Sequence, residues 1–323
     1  MADSNPLVAS DFFADPSGRV FNDRLYIYPS HDRKTDIPDD DNGSQYDMAD
    51  YHVLSMNEIG GEVTVHGKAF GIEDVPWAEK QLWAPDCASK SGEYYFYFPA
   101  RNHEGIFRIG VAVSETPEGP FVPEKEPIEG SFSIDPAVLV EEESAYLYFG
   151  GIWGGQLQCW RTGSFDAEAY SSMEASGDEA ALMPKVAKLS GDMKAFEGGV
   201  RDLVILDVDG VPMRAGRRDR RFFEAAWMHK RGGKYYFSYS TGDTHYIVYA
   251  MGDSPLGPFT YAGRILEPVQ GWTTHHSIVE FRGKWYLCYH DTSISGKNHL
   301  RSAKIRELVY DDDGRIKLAQ PQS

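Results

Sequence analysis

The chain has 323 residues, of which 41% are hydrophobic and 25% charged, enough apolar material for one large packed domain. Its 49 acidic against 32 basic residues give a formal charge of −17, which repels a phosphate backbone and argues against nucleic-acid binding. No stretch approaches the roughly 20 apolar residues of a membrane helix.

The start, Met1-Ala2-Asp3-Ser4-Asn5, has neither the basic region nor the apolar run of a secretion signal. This favours a cytoplasmic protein, or an exported one if a signal has been removed. The cysteines, Cys87, Cys159 and Cys288, are odd in number and lack zinc-ligand spacing. They read as reduced core residues.

Aromatic-rich strands recur along the chain: Arg24-Leu25-Tyr26-Ile27-Tyr28, Gly92-Glu93-Tyr94-Tyr95-Phe96-Tyr97-Phe98, Ser144-Ala145-Tyr146-Leu147-Tyr148-Phe149, Gly233-Lys234-Tyr235-Tyr236-Phe237-Ser238-Tyr239 and Gly283-Lys284-Trp285-Tyr286-Leu287. Two copies also share a corner, Thr116-Pro117-Glu118-Gly119-Pro120-Phe121 and Ser254-Pro255-Leu256-Gly257-Pro258-Phe259. Helical periodicity is nearly absent. Five repeated units spaced by roughly 50 to 90 residues predict an all-β fold, closed as a five-bladed β-propeller so that few sheet edges stay open. Residues 162–221 are the least regular and read as an elaborated blade, with a short surface helix over 167–182. Residues 1–323 thus form a single catalytic domain.

The blades of a propeller converge on one axial pocket, so lone carboxylates at equivalent blade positions are the natural candidates for chemistry. Asp15 lies in Phe12-Phe13-Ala14-Asp15-Pro16-Ser17, Asp135 in Phe132-Ser133-Ile134-Asp135-Pro136-Ala137, and Glu224 in Arg221-Phe222-Phe223-Glu224-Ala225-Ala226-Trp227. Asp86, in Leu82-Trp83-Ala84-Pro85-Asp86, sits similarly. Asp-Pro by itself is most often a turn. Glu224 is a poorer turn former, and a carboxyl amid Phe222, Phe223 and Trp227 should hold its proton, as a general acid must. Glycoside hydrolysis requires such a pair, one protonated and one ionised. His275 and His276 suggest a metal, but strand alternation lets only one of them face the axis. Trp83 and Trp153 are placed to offer flat platforms to a sugar.

These segments resemble glycoside hydrolase family 43, in its β-xylosidase and α-L-arabinofuranosidase branch. The matching stretches are Ala14-Asp15-Pro16-Ser17, Tyr28-Pro29-Ser30-His31-Asp32, Leu82-Trp83-Ala84-Pro85-Asp86, Ser133-Ile134-Asp135-Pro136-Ala137, Phe223-Glu224, Thr274-His275-His276-Ser277 and Leu300-Arg301-Ser302, in family order. The resemblance implies an inverting, exo-acting enzyme. It would release terminal xylose from β-1,4-xylo-oligosaccharides, with arabinofuranosidase activity on arabinose-substituted hemicellulose fragments beside it or in its place. Asp15 would be the general base, Glu224 the general acid and Asp135 the modulator of the acid's pKa. His31, Trp83, Trp153 and Arg301 would bind the sugar, and His275 would hold a calcium ion together with waters. Thr274 stands where the family commonly has glycine, and the chain ends without the β-sandwich that some members append. An arabinanase, a catalytically silent sugar-binding propeller and a zinc hydrolase using both histidines are the competing readings.

Overall fold

The computed structural model describes residues 5–172 and 177–319; for 170–172 only the backbone is described. It is a five-bladed β-propeller built from five sheets, antiparallel throughout except at one edge of blade IV. Blade I comprises Phe13–Phe21, Arg24–His31, Asp50–Met56 and Thr64–Gly71. Blade II comprises Asp86–Lys90, Glu93–Asn102, Phe107–Ser114 and Val122–Pro123, with Ala78–Lys80 paired to the far end of its long second strand. Blade III comprises Ala137–Val140, Ala145–Phe149, Lys185–Leu189 and Arg201–Asp202. Blade IV comprises Glu224–Arg231, Lys234–Ser240, Ile247–Gly252 and Phe259–Leu266, edged by Ile205–Leu206 in parallel. Blade V comprises His276–Phe281, Lys284–Asp291, Ser302–Tyr310 and Ile316–Leu318.

The five aromatic-rich strands are the second strand of each blade, not the innermost one. The first strands touch one another in cyclic order and line the axis, where space is short. They carry small residues such as Gly18, Ala137, Ala225 and Ala226. At Gly18 an added Cβ would stand 3.1 Å from the Cys288 sulfur. The aromatic second strands instead fill the wedges between blades. Tyr28, Tyr51 and Phe96 pack between blades I and II. Tyr97, Leu147 and Phe149 pack between II and III. Tyr148, Met228 and Phe237 lie between III and IV, and Trp227, Tyr249 and Leu287 between IV and V. Leu25, Ile27, Val279 and Cys288 complete the circle between V and I. Each wedge buries apolar surface worth roughly 25 cal/mol per Å².

The repeated corners are equivalent in detail. Gly119 N–H donates to Thr116 O at 3.2 Å, and Gly257 N–H to Ser254 O at 3.0 Å. Both glycines have positive φ, +86° and +71°, a conformation that side chains with a Cβ rarely adopt. Each corner is gripped from the preceding blade by a tyrosine: Tyr28 Oη donates to Pro117 O at 2.7 Å, and Tyr148 Oη to Pro255 O at 2.8 Å.

The irregular segment 162–221 is shared by two blades. It supplies the two outer strands of blade III and the edge strand Ile205–Leu206 of blade IV. Within the expected surface helix 167–182, Ala167–Ser172 is a short 3-10 helix, residues 173–176 lie outside the described residues, and 177–182 are not helical. All three cysteines are free and buried. No helix among the described residues is long and apolar enough to cross a membrane.

Candidate active site

A pocket of about 190 Å³ opens at the end of the ring where the first strands begin, and Asp15, Asp135, Glu224, Trp83, Trp153, His275 and Arg301 all line it. Local backbone irregularities aim the acids. The pairing of Phe13–Phe21 with Arg24–His31 slips between Ala14 and Ser17, and Asp15 sits in that bulge with φ +48°. The pairing of Glu224–Arg231 with Lys234–Ser240 slips between Glu224 and Trp227, with Ala225 at φ +59°. Asp135 precedes its strand with φ +57°. Bulges redirect a side chain that regular pleating would point elsewhere, and such backbone costs on the order of 1–3 kcal/mol per residue.

Asp15 is held ionised. Its Oδ2 accepts a hydrogen bond from Ser30 Oγ at 2.5 Å, and its Oδ1 accepts one from Arg301 Nη1 at 2.9 Å. Burial pushes the carboxyl's pKa up, but the Arg301 charge and the neighbouring His290 and His275 together outweigh it and hold Asp15 well below the usual carboxylate range. The backbone N–H of Asp15 donates to Nδ1 of His290 at 3.0 Å. That bond assigns the His290 proton to Nε2, which faces the Thr273 carbonyl at 3.0 Å. Arg301 is fixed in turn by Asp32, whose carboxylate accepts from its Nε at 2.9 Å and Nη2 at 2.7 Å, a bidentate fork.

Glu224 is in the opposite condition. It keeps some surface toward the pocket but lies deep enough that burial, then the negative charges of Asp135 and Asp15, raise its pKa well above the ordinary value. Asp135 is raised as well, to about 8, chiefly by burial, although its Oδ2 accepts the Ala225 N–H at 2.6 Å. The two carboxyls titrate as a pair and retain a proton near neutrality. The site therefore holds one ionised carboxylate and one protonated carboxyl over a single cavity, the requirement for displacement at an acetal carbon.

The walls come from interrupted strands. Residues 81–85 break the inner side of blade II between Ala78–Lys80 and Asp86–Lys90 and drop Trp83 into the pocket. Its Nε1 donates to Tyr46 O at 2.8 Å, and its ring lies against Phe107. Trp153 packs on Phe223 and Trp272. Gly43, with φ +73°, allows this closeness, because a Cβ there would stand 2.7 Å from the Trp83 ring.

His31 and Asp86 meet a different geometry from that expected, whereas the expectation that only one of the paired histidines faces the axis holds. His31 is not among the pocket-lining residues. It ends its strand pointing to Asp50, with Nδ1 2.6 Å from Oδ1, and its neighbours Ser30 and Asp32 support the site instead. Asp86 is not a pocket group: it accepts bonds from Ser17, Arg19 and the Val138 N–H, tying three first strands together. His276 turns away from the axis and lies 2.6 Å from Ser238 Oγ, so it and His275 do not converge on one ion. The sequence reading passed over Tyr46, Trp272 and Thr273 in the wall. Trp272 and Thr273 directly precede the quoted histidine motif, whereas Tyr46 lies in an acidic loop that gives no pattern.

The profile of glycosyl hydrolases family 43 matches residues 64–316. The chain belongs to glycosyl hydrolase family 43. Among family 43 relatives, the chain is 63% identical to xylosidase/arabinosidase 43A of Humicola insolens, over 98% of this chain and 99% of that one. It is 53% identical to the beta-xylosidase of Xylanibacter ruminicola, over 95% and 97% of the two chains. The fold superposes with a TM-score of 0.96 on CoXyl43, a GH43 beta-xylosidase/alpha-arabinofuranosidase from a compost microbial metagenome solved with xylotriose in a calcium-free form. That protein is 58% identical, over 99% of this chain and 98% of that one. A GH43_1 enzyme of Xanthomonas citri complexed with xylotriose gives a TM-score of 0.91 at 51% identity, over 97% and 92%. As a family 43 member the chain is a glycosidase.

Proposed function

We propose that this glycosidase removes terminal xylose from β-1,4-xylo-oligosaccharides by single displacement with inversion, and also accepts terminal α-L-arabinofuranose. The carrying observation is the opposite protonation of Asp15 and Glu224 in one small pocket. Asp15 takes a proton from a water as that water attacks the anomeric carbon. Glu224 gives its proton to the departing glycosidic oxygen, so the bond to the sugar breaks as a hydroxyl forms on the leaving chain. Asp135 keeps the acid protonated through its charge and fixes the bulge through Ala225. A pocket of about 190 Å³ has the size for one pentose. Trp83 and Trp153 offer apolar faces to the ring, and the Arg301 guanidinium is positioned for a hydroxyl. Xylopyranose and arabinofuranose differ little in such a pocket, so discrimination between them is modest.

Calcium belongs to the same proposal. His275 lines the pocket buried, and among the described residues neither ring nitrogen has a hydrogen-bond partner, so one can take a ligand. Burial lowers its pKa to about 4, which keeps the ring neutral as a ligand must be. His275 would hold the ion together with waters, and the ion would add positive potential near Asp135, whose Oδ1 is 3.9 Å from the histidine.

The test is a panel of aryl pentosides and xylo-oligosaccharides with product anomers followed by NMR. Release of xylose one unit at a time, first as the α-anomer, is expected. Net retention would overturn the assigned roles. Pentoside turnover equally negligible in wild type and Glu224→Gln would mark a sugar-binding propeller.

A further inference from the structure

Outside the pocket, on blade I, His31, Asp50 and His52 bring one donor atom each to within 4.8 Å of one another. The sheet builds this cluster. Asp50 and His52 alternate on Asp50–Met56 and so share a face, and the neighbouring strand delivers His31 at its end. His31 Nδ1 lies 2.6 Å from Asp50 Oδ1, and His52 Nε2 lies 3.6 Å from Asp50 Oδ2.

The remaining nitrogen of each ring is also engaged. His31 Nε2 faces Asp11 Oδ2 at 3.3 Å, and His52 Nδ1 faces the His66 carbonyl at 3.3 Å. A histidine that ligates a metal nearly always donates its other N–H to a carboxylate or carbonyl, which fixes the tautomer. Here both do. His52 Nε2 and the Asp50 carboxylate face each other at 3.6 Å, longer than a hydrogen bond and close to the spacing of two ligands on one small cation. Both rings also touch Phe13, His31 stacked at 5.1 Å and His52 edge-on at 5.9 Å, two residues before the catalytic Asp15.

We propose that His31 Nδ1, His52 Nε2 and the Asp50 carboxylate form a second metal site, selective for a zinc-class divalent ion and separate from His275. Two imidazoles and a carboxylate suit zinc and are too nitrogen-rich for calcium. Bonds of about 2.0–2.2 Å place tetrahedral ligand atoms roughly 3.3–3.6 Å apart, within small side-chain adjustments of the cluster, and water completes the set. The ion would pin the second and third strands of blade I to each other, and through the ring contacts to Phe13 would steady the strand that carries Asp15.

The test is isothermal titration of chelator-treated protein with Zn²⁺ at pH 7.5, paired with melting curves with and without the ion. One Zn²⁺ is expected in wild type and in His275→Ala, with a higher Tm when bound. In His52→Gln, affinity should fall at least about 10-fold and the Tm gain should vanish. Asp11→Asn leaves all three ligands in place on an exposed residue, and should weaken binding by roughly 10–100-fold. The proposal is overturned if wild type takes up no Zn²⁺, if affinity is unchanged in both His52→Gln and Asp11→Asn, or if His275→Ala alone abolishes uptake.

Discussion

Arg301 bridges Asp15 and Asp32, giving Nη1 to the first at 2.9 Å and a two-pronged contact to the second. One buried cation is thus shared by two buried carboxylates, and only one of them faces the substrate. Removing it strands both. Arg301→Met should destabilise the fold by about 3–5 kcal/mol. It should also raise the Asp15 pKa, moving the acid limb of kcat/KM upward. Denaturant unfolding and a pH–rate profile read the two effects separately, and Arg301→Lys should restore part of the first but not the fork.

The Asp15 shift also sets the sign of acid sensitivity. A carboxyl depressed in the folded state contributes stability that is present above its unfolded value, 3.8, and lost as pH falls toward the folded one. Asp15→Asn should therefore flatten the stability profile below about pH 4, measured by urea unfolding from pH 2 to 6. It should also lower kcat by roughly 10²–10⁴ at neutral pH.

Glu224 and Asp135 carry the opposite sign. Their raised pKa values give stability that is complete below the unfolded values and lost as pH rises through the folded ones. Glu224→Gln should lower kcat on xylobiose by roughly 10²–10⁴. The loss should be far smaller on a dinitrophenyl xyloside, whose leaving group needs no proton. The same variant should melt about 1–2 °C higher at pH 9, the shift expected from roughly 1 kcal/mol in a chain of this size.

Asp135→Asn keeps an acceptor for the Ala225 N–H but removes the charge that raises Glu224. The alkaline limb of kcat should move to lower pH, with KM changed less than kcat. An unmoved limb would show that burial alone sets the acid.

Gly43→Ala places a methyl against the Trp83 ring at a positive-φ position. It should cost about 1–3 kcal/mol and raise KM through a displaced platform. Thermal melts and xylobiose kinetics check both.

The propeller was legible because the aromatic second strands repeat both their residue type and their corners. The first strands were not, because crowding at the axis selects small residues with no pattern of their own. The three acids stood out as charges in apolar surroundings. His31 misled because it stands between Ser30 and Asp32, which reach the site by hydrogen bonds that strand order alone does not reveal. Asp86 looked like a fourth member of the set, and only its bonds to Ser17, Arg19 and Val138 separate it from the other three.

Those same bonds pack the axis beside the acids. Ser17, Arg19 and Val138 lie two to four residues beyond Asp15 and Asp135 along their chains, and the Arg19 guanidinium also covers the Trp227 ring at 4.3 Å. With Asp86 buried among them, these groups anchor the strands that carry two of the three acids. In the proposed exo reaction, a long chain offers only its tip, and the freed monosaccharide must clear the pocket before the next arrival.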